Sequence, residues 1–484
     1  MSEPLIAAQS IPARKFRRLL LSVFGMAAAC AGPDAQMELR SALPDPSQTY
    51  IMLANGSSVD QVLIHMATLA TGDLALCLVP AATTCDPNNQ IAFKESSPQG
   101  SRRFFIASQE VKADPVMTYR IVKTNGDVVA GFRLVDRNAD PVATGLSLVD
   151  RDTLSKELGY ITADVIKGRL SATPENEAVA DWLIAHLKRL GVPPASGNDY
   201  RQRFTLSVGP TKGAETANII GLIEGSDPVL KNEYVVIGAH MDHAGTLTRG
   251  YTCSKGNQES GADDICNGAD DNGSGTIALL NVIKSLVSAR SSVKRSIIVM
   301  WFTGEEEGLL GSYHYVKNPV FPLEKTVYMI NMDMVGYMRS FGNSLAALGG
   351  GSSSFGKAIL ADVAKKYPQT PVKISDKAGG GSDHVPFMAK GIPGVFLHTG
   401  VSNNPNYHKT SDSADKIDYD GMVVAAKVAF ETAYRVANAS IRQDLNLVRE
   451  PLVSEEEMKQ ACHHLINNPF VTQLQNELPA NYSH

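Results

Sequence analysis

Six apolar segments of strand length alternate with segments of helical periodicity between residues 204 and 397. The two most apolar, Tyr234 to Ile237 and Ile297 to Phe302, lack the polar alternation of a strand with one solvent-facing side. An uninterrupted apolar run is typical of a central strand that is covered on both faces. The pattern also predicts strands at 204–208, 218–223, 326–332 and 394–397.

Two helices are predicted beside these strands. Thr173 is a favourable N-cap and Pro174 suits the first helical position, and apolar residues then recur at helical spacing as far as Gly191. A second helix is predicted from about Ser274, where the residues of one apolar face are Leu279, Val282, Ile283 and Leu286. Strands that alternate with helices indicate an α/β domain, an α/β/α sandwich with a mixed, mostly parallel sheet, over residues 159–440.

The flanking segments give weaker patterns. Residues 32–154 contain short apolar runs and many turn residues, with strands predicted at 104–106 and 128–132, so we expect a small, mostly β accessory domain. Residues 441–484 are polar, and we expect a helical tail there.

Composition supports a folded, multi-domain chain. A length of 484 residues exceeds one ordinary core, and 43% hydrophobic with 20% charged residues is typical of globular proteins. The net charge of −5 and the lack of a basic run after residue 18 argue against nucleic acid as a partner.

The first 31 residues resemble a bacterial export signal. A basic segment that ends at Arg18 precedes the apolar stretch Leu19 to Ala29, which is too short to span a bilayer. Two interpretations remain open: cleavage after Ala31, or acylation of Cys30, which would be the protein's contact with a membrane. Either predicts an exported protein that is periplasmic, secreted or an outer-membrane lipoprotein.

The cysteines fit an oxidising compartment. Cys77 lies close in sequence to Cys85, and Cys253 lies close to Cys266, which suggests two local disulfides and leaves Cys462 over. A cysteine-based zinc site is the competing interpretation, but neither pair has C-x-x-C spacing.

Polar residues that can bind metals follow the predicted strands. In open α/β sheets the chemistry gathers beyond the carboxyl ends of the strands. The residues in question are His240, Asp242, Asp271, Glu305, Glu306, Asp333 and His408. Adjacent carboxylates repel one another unless cations neutralise them, and this mixture of imidazole and carboxylate ligands suits Zn²⁺. Enough ligands are present for two ions bridged by one carboxylate, and such a pair of ions could activate a water for hydrolysis.

Five motifs are similar in order and in sequence to those of the M28 family of di-zinc aminopeptidases: GAHMDH, GADDNGSG, GEEEGLLGS, NMDMVG and YHKTSD. The resemblance covers roughly residues 159–440. It implies an α/β/α sandwich, two zinc ions per chain, and hydrolysis of the N-terminal peptide bond of peptides with a free N-terminus.

The resemblance also implies a role for each residue. One zinc ion would bind His240 and Asp333, the other His408 and Glu306, with Asp271 bridging the two. Glu305 would be the general base, Asp242 would orient His240, and Tyr407 would donate a hydrogen bond to the developing oxyanion. The peptide bond Asp271–Asn272 is expected to be cis.

Several residues receive a structural interpretation. Glu307 is expected to be an exposed residue at a helix start, and His243 a structural partner of the site. The segment Gly379 to His384, which resembles a Ser-Asp segment near the substrate pocket of the family, is interpreted as a wall of that pocket. The loop that contains Cys253 and Cys266 is longer than in compact members of the family, and we expect it to restrict access at the rim.

Two other functions remain as alternatives. A glutaminyl cyclase resembles this domain but uses a single zinc ion, and a non-catalytic binding module would have lost ligands. A serine hydrolase is excluded because Ser274 and Ser382 lack a G-x-S-x-G elbow, and a thermolysin-like enzyme because H-E-x-x-H is absent.

Overall fold

A computed structural model describes residues 140–256, 264–377 and 379–440, together with the backbone of eight strands between Met37 and Asp136. The chain divides into two compact units, residues 1–140 with 188–191, and residues 141–187 with 192–484. The predicted export signal, the predicted C-terminal tail and the side chains of Cys77 and Cys85 lie outside the described residues.

The strands of the first unit form two antiparallel sheets. One has the order β1-β8-β7-β3-β4 and the other β2-β6-β5. The bounds are β1 Met37–Ser41, β2 Gln61–Met66, β3 Leu74–Pro80, β4 Gln90–Ile91, β5 Phe93–Ser96, β6 Arg102–Ala107, β7 Met117–Lys123 and β8 Val128–Asp136.

The second unit is built on an eight-stranded mixed sheet with the order β15-β14-β16-β13-β11-β12-β10-β9. Its strands are β9 Arg201–Thr205, β10 Glu215–Ile223, β11 Tyr234–His240, β12 Ser296–Phe302, β13 Thr326–Met332, β14 Leu345–Leu348, β15 Val372–Ile374 and β16 Gly394–His398. The four central strands β12, β11, β13 and β16 are parallel to one another. Strand β10 is antiparallel to β12 and to β9, and β14 is antiparallel to β16 but parallel to the edge strand β15. The predicted mixed, mostly parallel sheet is confirmed.

Neighbouring side chains of β12 show that both faces of the sheet are covered. Met300 and Phe302 pack in a cluster with Tyr315 and Phe387, which lie on two helices of one layer. Between them, Trp301 points to the other face and donates its indole N–H to the carbonyl of Thr276, on a helix of the second layer. All seven residues of β12 are buried, which is why its sequence lacks alternation.

The helices explain where the second unit begins. The helix Arg151–Ile161 buries Leu154, Leu158 and Ile161, and it packs against helices that cover the sheet. The boundary predicted near residue 159 therefore falls inside a helix, and the preceding helix also belongs to this unit. The α-helices described between residues 140 and 440 are Pro141–Ser147, Arg151–Ile161, Pro174–Arg189, Gly275–Ser288, Leu310–Lys317, Ser354–Ala364, His384–Ala389 and Tyr419–Asn438.

The two helices predicted from periodicity are present. Thr173 caps the first, because its Oγ1 accepts a hydrogen bond from the N–H of Asn176 at 3.3 Å. The apolar face of the second, at Leu279, Val282, Ile283 and Leu286, is fully buried. Among the described residues, every helix falls short of the length or apolar character that crossing a membrane requires.

Candidate metal centre

Three strand ends, a turn and a loop bring the predicted ligands together. His240 is the last residue of β11, Glu305 and Glu306 follow β12, and Asp333 follows β13. Asp271 lies in the turn Ala269–Ser274, at the start of a helix. His408 comes from the loop after β16. These side chains meet at the carboxyl edge of the parallel strands, where their chain positions predict a site.

The first group of ligand atoms surrounds the imidazole of His240. Its Nε2 lies 3.4 Å from Oδ1 of Asp333, 3.4 Å from Oδ1 of Asp271 and 3.9 Å from Oε2 of Glu305. Nε2 of His240 and Oδ1 of Asp333 are buried without a hydrogen-bond partner. A buried polar atom without a partner is costly, so both atoms need a ligand that they can share.

The second group surrounds His408. Its Nε2 lies 3.0 Å from Oδ2 of Asp271 and 3.0 Å from Oε2 of Glu306. His243 lies behind Glu306, with Nδ1 only 2.6 Å from Oε1. His243, Asp271 and Glu306 also form a cluster with metal-ligand spacing. His408 and His243 thus contact different oxygens of Glu306, and the short contact of His243 places it where it can orient this carboxylate.

Asp271 divides its two oxygens between the groups. Oδ1 faces His240, and Oδ2 faces His408. The turn around it is fixed from several sides: the peptide bond Asp271–Asn272 is cis, as expected, and the carboxylate of Asp412 accepts hydrogen bonds from the N–H groups of Asp270 and Asp271 at 3.1 Å. Asp271 therefore offers one carboxylate oxygen to each group of ligand atoms.

The spacing of these atoms fits zinc. Bonds of about 2.0–2.2 Å in a tetrahedron place neighbouring ligand atoms about 3.3–3.6 Å apart. The 3.4 Å distances from Nε2 of His240 to Asp271 and Asp333 match this edge length. The donors, imidazole nitrogen and carboxylate oxygen, are those that zinc accepts.

The charges at the site also favour the binding of cations. Burial would raise the pKa of Asp271, but the neighbouring imidazoles of His240 and His408 outweigh it and hold this pKa well below its usual range. Burial would likewise lower the pKa of His408, but Glu306 and Asp271 raise it to about 10. The pKa of His240 is also raised well above its usual value, because Asp333 and Glu305 outweigh its burial. The carboxylates therefore attract positive charge strongly.

Glu305 differs from the ligands. Burial raises its pKa well above the usual range, and the nearby carboxylates of Asp333 and Glu306 raise it further against the opposing effect of His240. A raised pKa suits a carboxylate that must take up a proton and release it again.

Asp242 contacts His240 in two ways. The Nδ1 of His240 lies 3.2 Å from the backbone carbonyl of Asp242 and 3.7 Å from its carboxylate Oδ1. A carbonyl oxygen only accepts, so Nδ1 carries the proton and Nε2 is left for a metal. The orienting group is thus the carbonyl of Asp242 at hydrogen-bond distance, with the carboxylate beyond it.

The prediction that Glu307 is exposed is wrong. Only 1% of Glu307 is accessible, and its Oε2 lies 2.9 Å from Oγ of Ser171. The same hydroxyl lies 3.0 Å from Oδ2 of Asp242. Burial raises the pKa of Glu307 well above its usual range, and Asp242 raises it further. Three consecutive glutamates therefore enter the interior instead of leaving one in solvent.

Two further predicted residues lie beside the ligands. The ring of Tyr407 stacks on that of His408, with centroids 3.8 Å apart. Asp383 is fully buried, and burial together with nearby carboxylates such as Asp242 raises its pKa to about 7, against the opposing charge of His240.

Sequence reasoning missed Arg169, which is fully buried. Its guanidinium donates to the carbonyls of Met241 and Gly268 at 3.0 and 2.9 Å, and to that of Asn267 at 2.6 Å. These carbonyls belong to the chain segments that carry His240 and Asp271. A single arginine between two apolar segments offers no sequence signal of this role.

The fold and the site define a class: an α/β/α sandwich with a histidine and carboxylate centre for metal ions at the strand ends. The sequence profile of peptidase family M28 matches residues 218–433. A protein of Trichophyton verrucosum named probable leucine aminopeptidase 1 is 30% identical over 308 residues, which cover 60% of this chain and 75% of that protein. The chain belongs to peptidase family M28.

Other matches are partial or distant. The chain spans 57% of the length of the first curated fungal relatives that it matches. Among solved structures, the LapA aminopeptidase of Legionella pneumophila has a TM-score of 0.48 at 20% identity, covering 76% of this chain and all of that one. A glutaminyl cyclase of Porphyromonas gingivalis also has a TM-score of 0.48, at 19% identity, covering 59% of this chain and 98% of that one.

Proposed function

We propose that this protein is a di-zinc aminopeptidase that hydrolyses the N-terminal peptide bond of peptides. The observation that carries the proposal is the division of the Asp271 carboxylate between His240 and His408. A bridging carboxylate with a ligand group at each oxygen is what a two-metal hydrolase requires. Membership of family M28 and relatives named leucine aminopeptidase support the same activity.

Each ion would have its own ligands. His240 and Asp333 would hold one, His408 and Glu306 the other, and Asp271 both. When bound, such ions polarise a carbonyl and lower the pKa of a water. His243 and the carbonyl of Asp242 would keep Glu306 and His240 in their binding orientations.

Glu305 would carry the proton. Its Oε2 lies 3.9 Å from Nε2 of His240, beside both ligand groups, and its raised pKa favours proton uptake. We propose that Glu305 takes the proton of the attacking water and gives it to the leaving amine. Tyr407, stacked on His408, would donate its O–H to the developing oxyanion.

The substrate's free ammonium group fits the charge of the site. Several buried carboxylates face few fixed positive charges, so a cationic N-terminus is attracted there. Glu305 and Glu306 would contribute to this attraction.

We also propose that the protein is exported. The leader-like sequence of residues 1–31 supports this. The disulfide between Cys253 and Cys266 is a second support, because such bonds persist in oxidising compartments.

The test is hydrolysis of a panel of aminoacyl-p-nitroanilides by the wild type and by Glu305→Gln. We expect the variant to keep its metal and lose kcat by about 10²–10⁴-fold. Glu215→Gln, a change at an exposed glutamate of β10, is the matched control and should be fully active.

Other outcomes identify the alternatives. Cyclisation of N-terminal glutamine without hydrolysis of the panel would identify a glutaminyl cyclase. Neither reaction, in a protein that binds no metal, would identify a binding module.

A further inference from the structure

The disulfide Cys253–Cys266 has no part in the proposed reaction. Its cysteines nevertheless lie next to the chain segments that carry Asp271 and His408, which with Glu306 form the second metal position. Ser254, directly after Cys253, pairs with Lys409 in an isolated parallel bridge. The N–H of Thr410 donates to the carbonyl of Ser254 at 3.0 Å. The chain after Cys253 therefore runs beside the loop that carries His408.

The closest contact is to His408 itself. Its carbonyl accepts hydrogen bonds from both the N–H and the Oγ–H of Ser254, each at 2.9 Å. His408 has a φ of +54°, a left-handed conformation that costs energy in a residue with a side chain. Two donors on one carbonyl hold the residue in this conformation, which turns its imidazole toward Asp271 and Glu306.

The other cysteine is anchored on the opposite side. The N–H of Cys266 donates to the carbonyl of Gly245 at 2.9 Å, and Ile265 forms a bridge with Thr246. The chain then continues through Asn267 to Asp271. The disulfide thus joins the segment that leads to the bridging carboxylate with the segment that holds His408.

We propose that the disulfide and Ser254 position His408 against Asp271, so that breaking the disulfide weakens the second metal position and spares the first. The inference rests on the proposed two-metal function. His240 and Asp333, the ligands that would serve the first position alone, lie on β11 and directly after β13, and the described contacts of Cys253 and Ser254 do not reach them. Asp271, which would serve both positions, is held separately through its backbone N–H by the carboxylate of Asp412.

The experiment measures metal binding directly. A water-soluble phosphine reduces the bridge: the two sulfurs gain two electrons and two protons and become thiols, and the phosphine takes the oxygen of water to become its oxide. Zinc content is measured by mass spectrometry after dialysis against a graded chelator. We expect the oxidised protein to hold two ions and the reduced protein to release one at chelator concentrations about 10–100-fold lower.

Variants separate this disulfide from the other cysteines. The double variant Cys253→Ser/Cys266→Ser should resemble the reduced wild type and show no further response to the phosphine. Ser254→Ala should weaken the same ion while the disulfide stays intact, and Ser254→Thr, which keeps the hydroxyl, should restore it. Ser226→Ala, which removes a similar hydroxyl bond to the carbonyl of Val293, is the control and should bind both ions normally.

The outcomes are distinguishable. Two ions held equally tightly in oxidised, reduced and Ser254→Ala protein would overturn the inference and leave the proposed function intact. Fewer than two ions in the oxidised wild type would overturn the proposed function instead. If the double variant does not fold, as judged by circular dichroism, the reduced wild type and Ser254→Ala decide the question.

Discussion

The carboxylate of Asp412 accepts a hydrogen bond from the backbone N–H of Asp271, with Oδ2 3.1 Å from the nitrogen. Its two oxygens also accept from the N–H of Asp270. A side chain distant in sequence therefore fixes the backbone from which the bridging carboxylate projects. The described hydrogen bonds of the Asp412 carboxylate go to backbone N–H groups and not to the ligand atoms, so we interpret Asp412 as a positioning residue.

Replacing Asp412 by Ala should loosen this turn. Two buried N–H groups would lose their acceptor, which costs about 1–3 kcal/mol each. We expect weaker binding of both ions, since Asp271 serves both, and a lower kcat/KM at limiting zinc that excess zinc partly restores. Chelator titrations of Asp412→Ala and of the exposed control Asp376→Ala would test this. Equal zinc affinity in Asp412→Ala and wild type would contradict it.

Arg169 should be important for stability. Replacing it by Met removes donors from the carbonyls of Met241, Asn267 and Gly268 in the interior. The free energy of unfolding should fall by on the order of 3 kcal/mol or more. Thermal unfolding of the metal-free protein measures this without the contribution of ligand binding. Arg203→Met, a change at a half-exposed side chain, is the control, and an equal loss in both variants would contradict the account.

Glu307 should tolerate amidation. The single proton of the Ser171 hydroxyl serves only one of its two carboxylate neighbours, so one carboxyl group must be protonated. The raised pKa assigns that proton to Glu307. Glu307→Gln, which is neutral and has the same shape, should keep the stability and activity of the wild type, whereas Glu307→Ala should lose both. Equal damage by the two substitutions would show that Glu307 is charged.

The apolar pattern predicted the sheet because a strand that is buried on both faces has an uninterrupted apolar sequence. β13 has the predicted bounds, 326–332, and β12 begins one residue earlier than predicted. The convergence of the predicted ligands could be foreseen for a related reason: each follows an apolar strand or comes from a motif, and parallel strands carry such residues to one edge.

What the sequence did not reveal depends on distant partners. Glu307 looks like its two neighbours in GEEEG, and only Ser171, 136 residues earlier, marks it as buried. Arg169 acts through backbone carbonyls, which have no sequence signature. The helix Pro141–Ser147 is seven residues long and lies where the sequence suggests irregular structure. Only its packing, which the sequence does not reveal, assigns it to the second unit.

Metal binding should release protons. In the metal-free protein the pKa of His408 is raised to about 10 and that of His240 well above its usual value, so both hold protons at neutral pH. A metal ion binds the neutral imidazole, so zinc affinity should increase as the pH rises toward 10 and decrease in acid. Calorimetry at pH 7 in buffers of different ionisation enthalpy should give about two protons released per chain when both ions bind. Uptake of protons, or no exchange, would contradict these charge states.

Zinc stoichiometry tests the central claim most directly. Zinc per chain should be measured by mass spectrometry for the wild type, His408→Ala and Asp271→Asn after dialysis to remove loosely bound metal. A two-metal centre bridged by Asp271 predicts two ions in the wild type, one in His408→Ala, and weakened retention of both in Asp271→Asn. One ion in the wild type, or a loss of only one ion in Asp271→Asn, would contradict the bridge and with it the proposed mechanism.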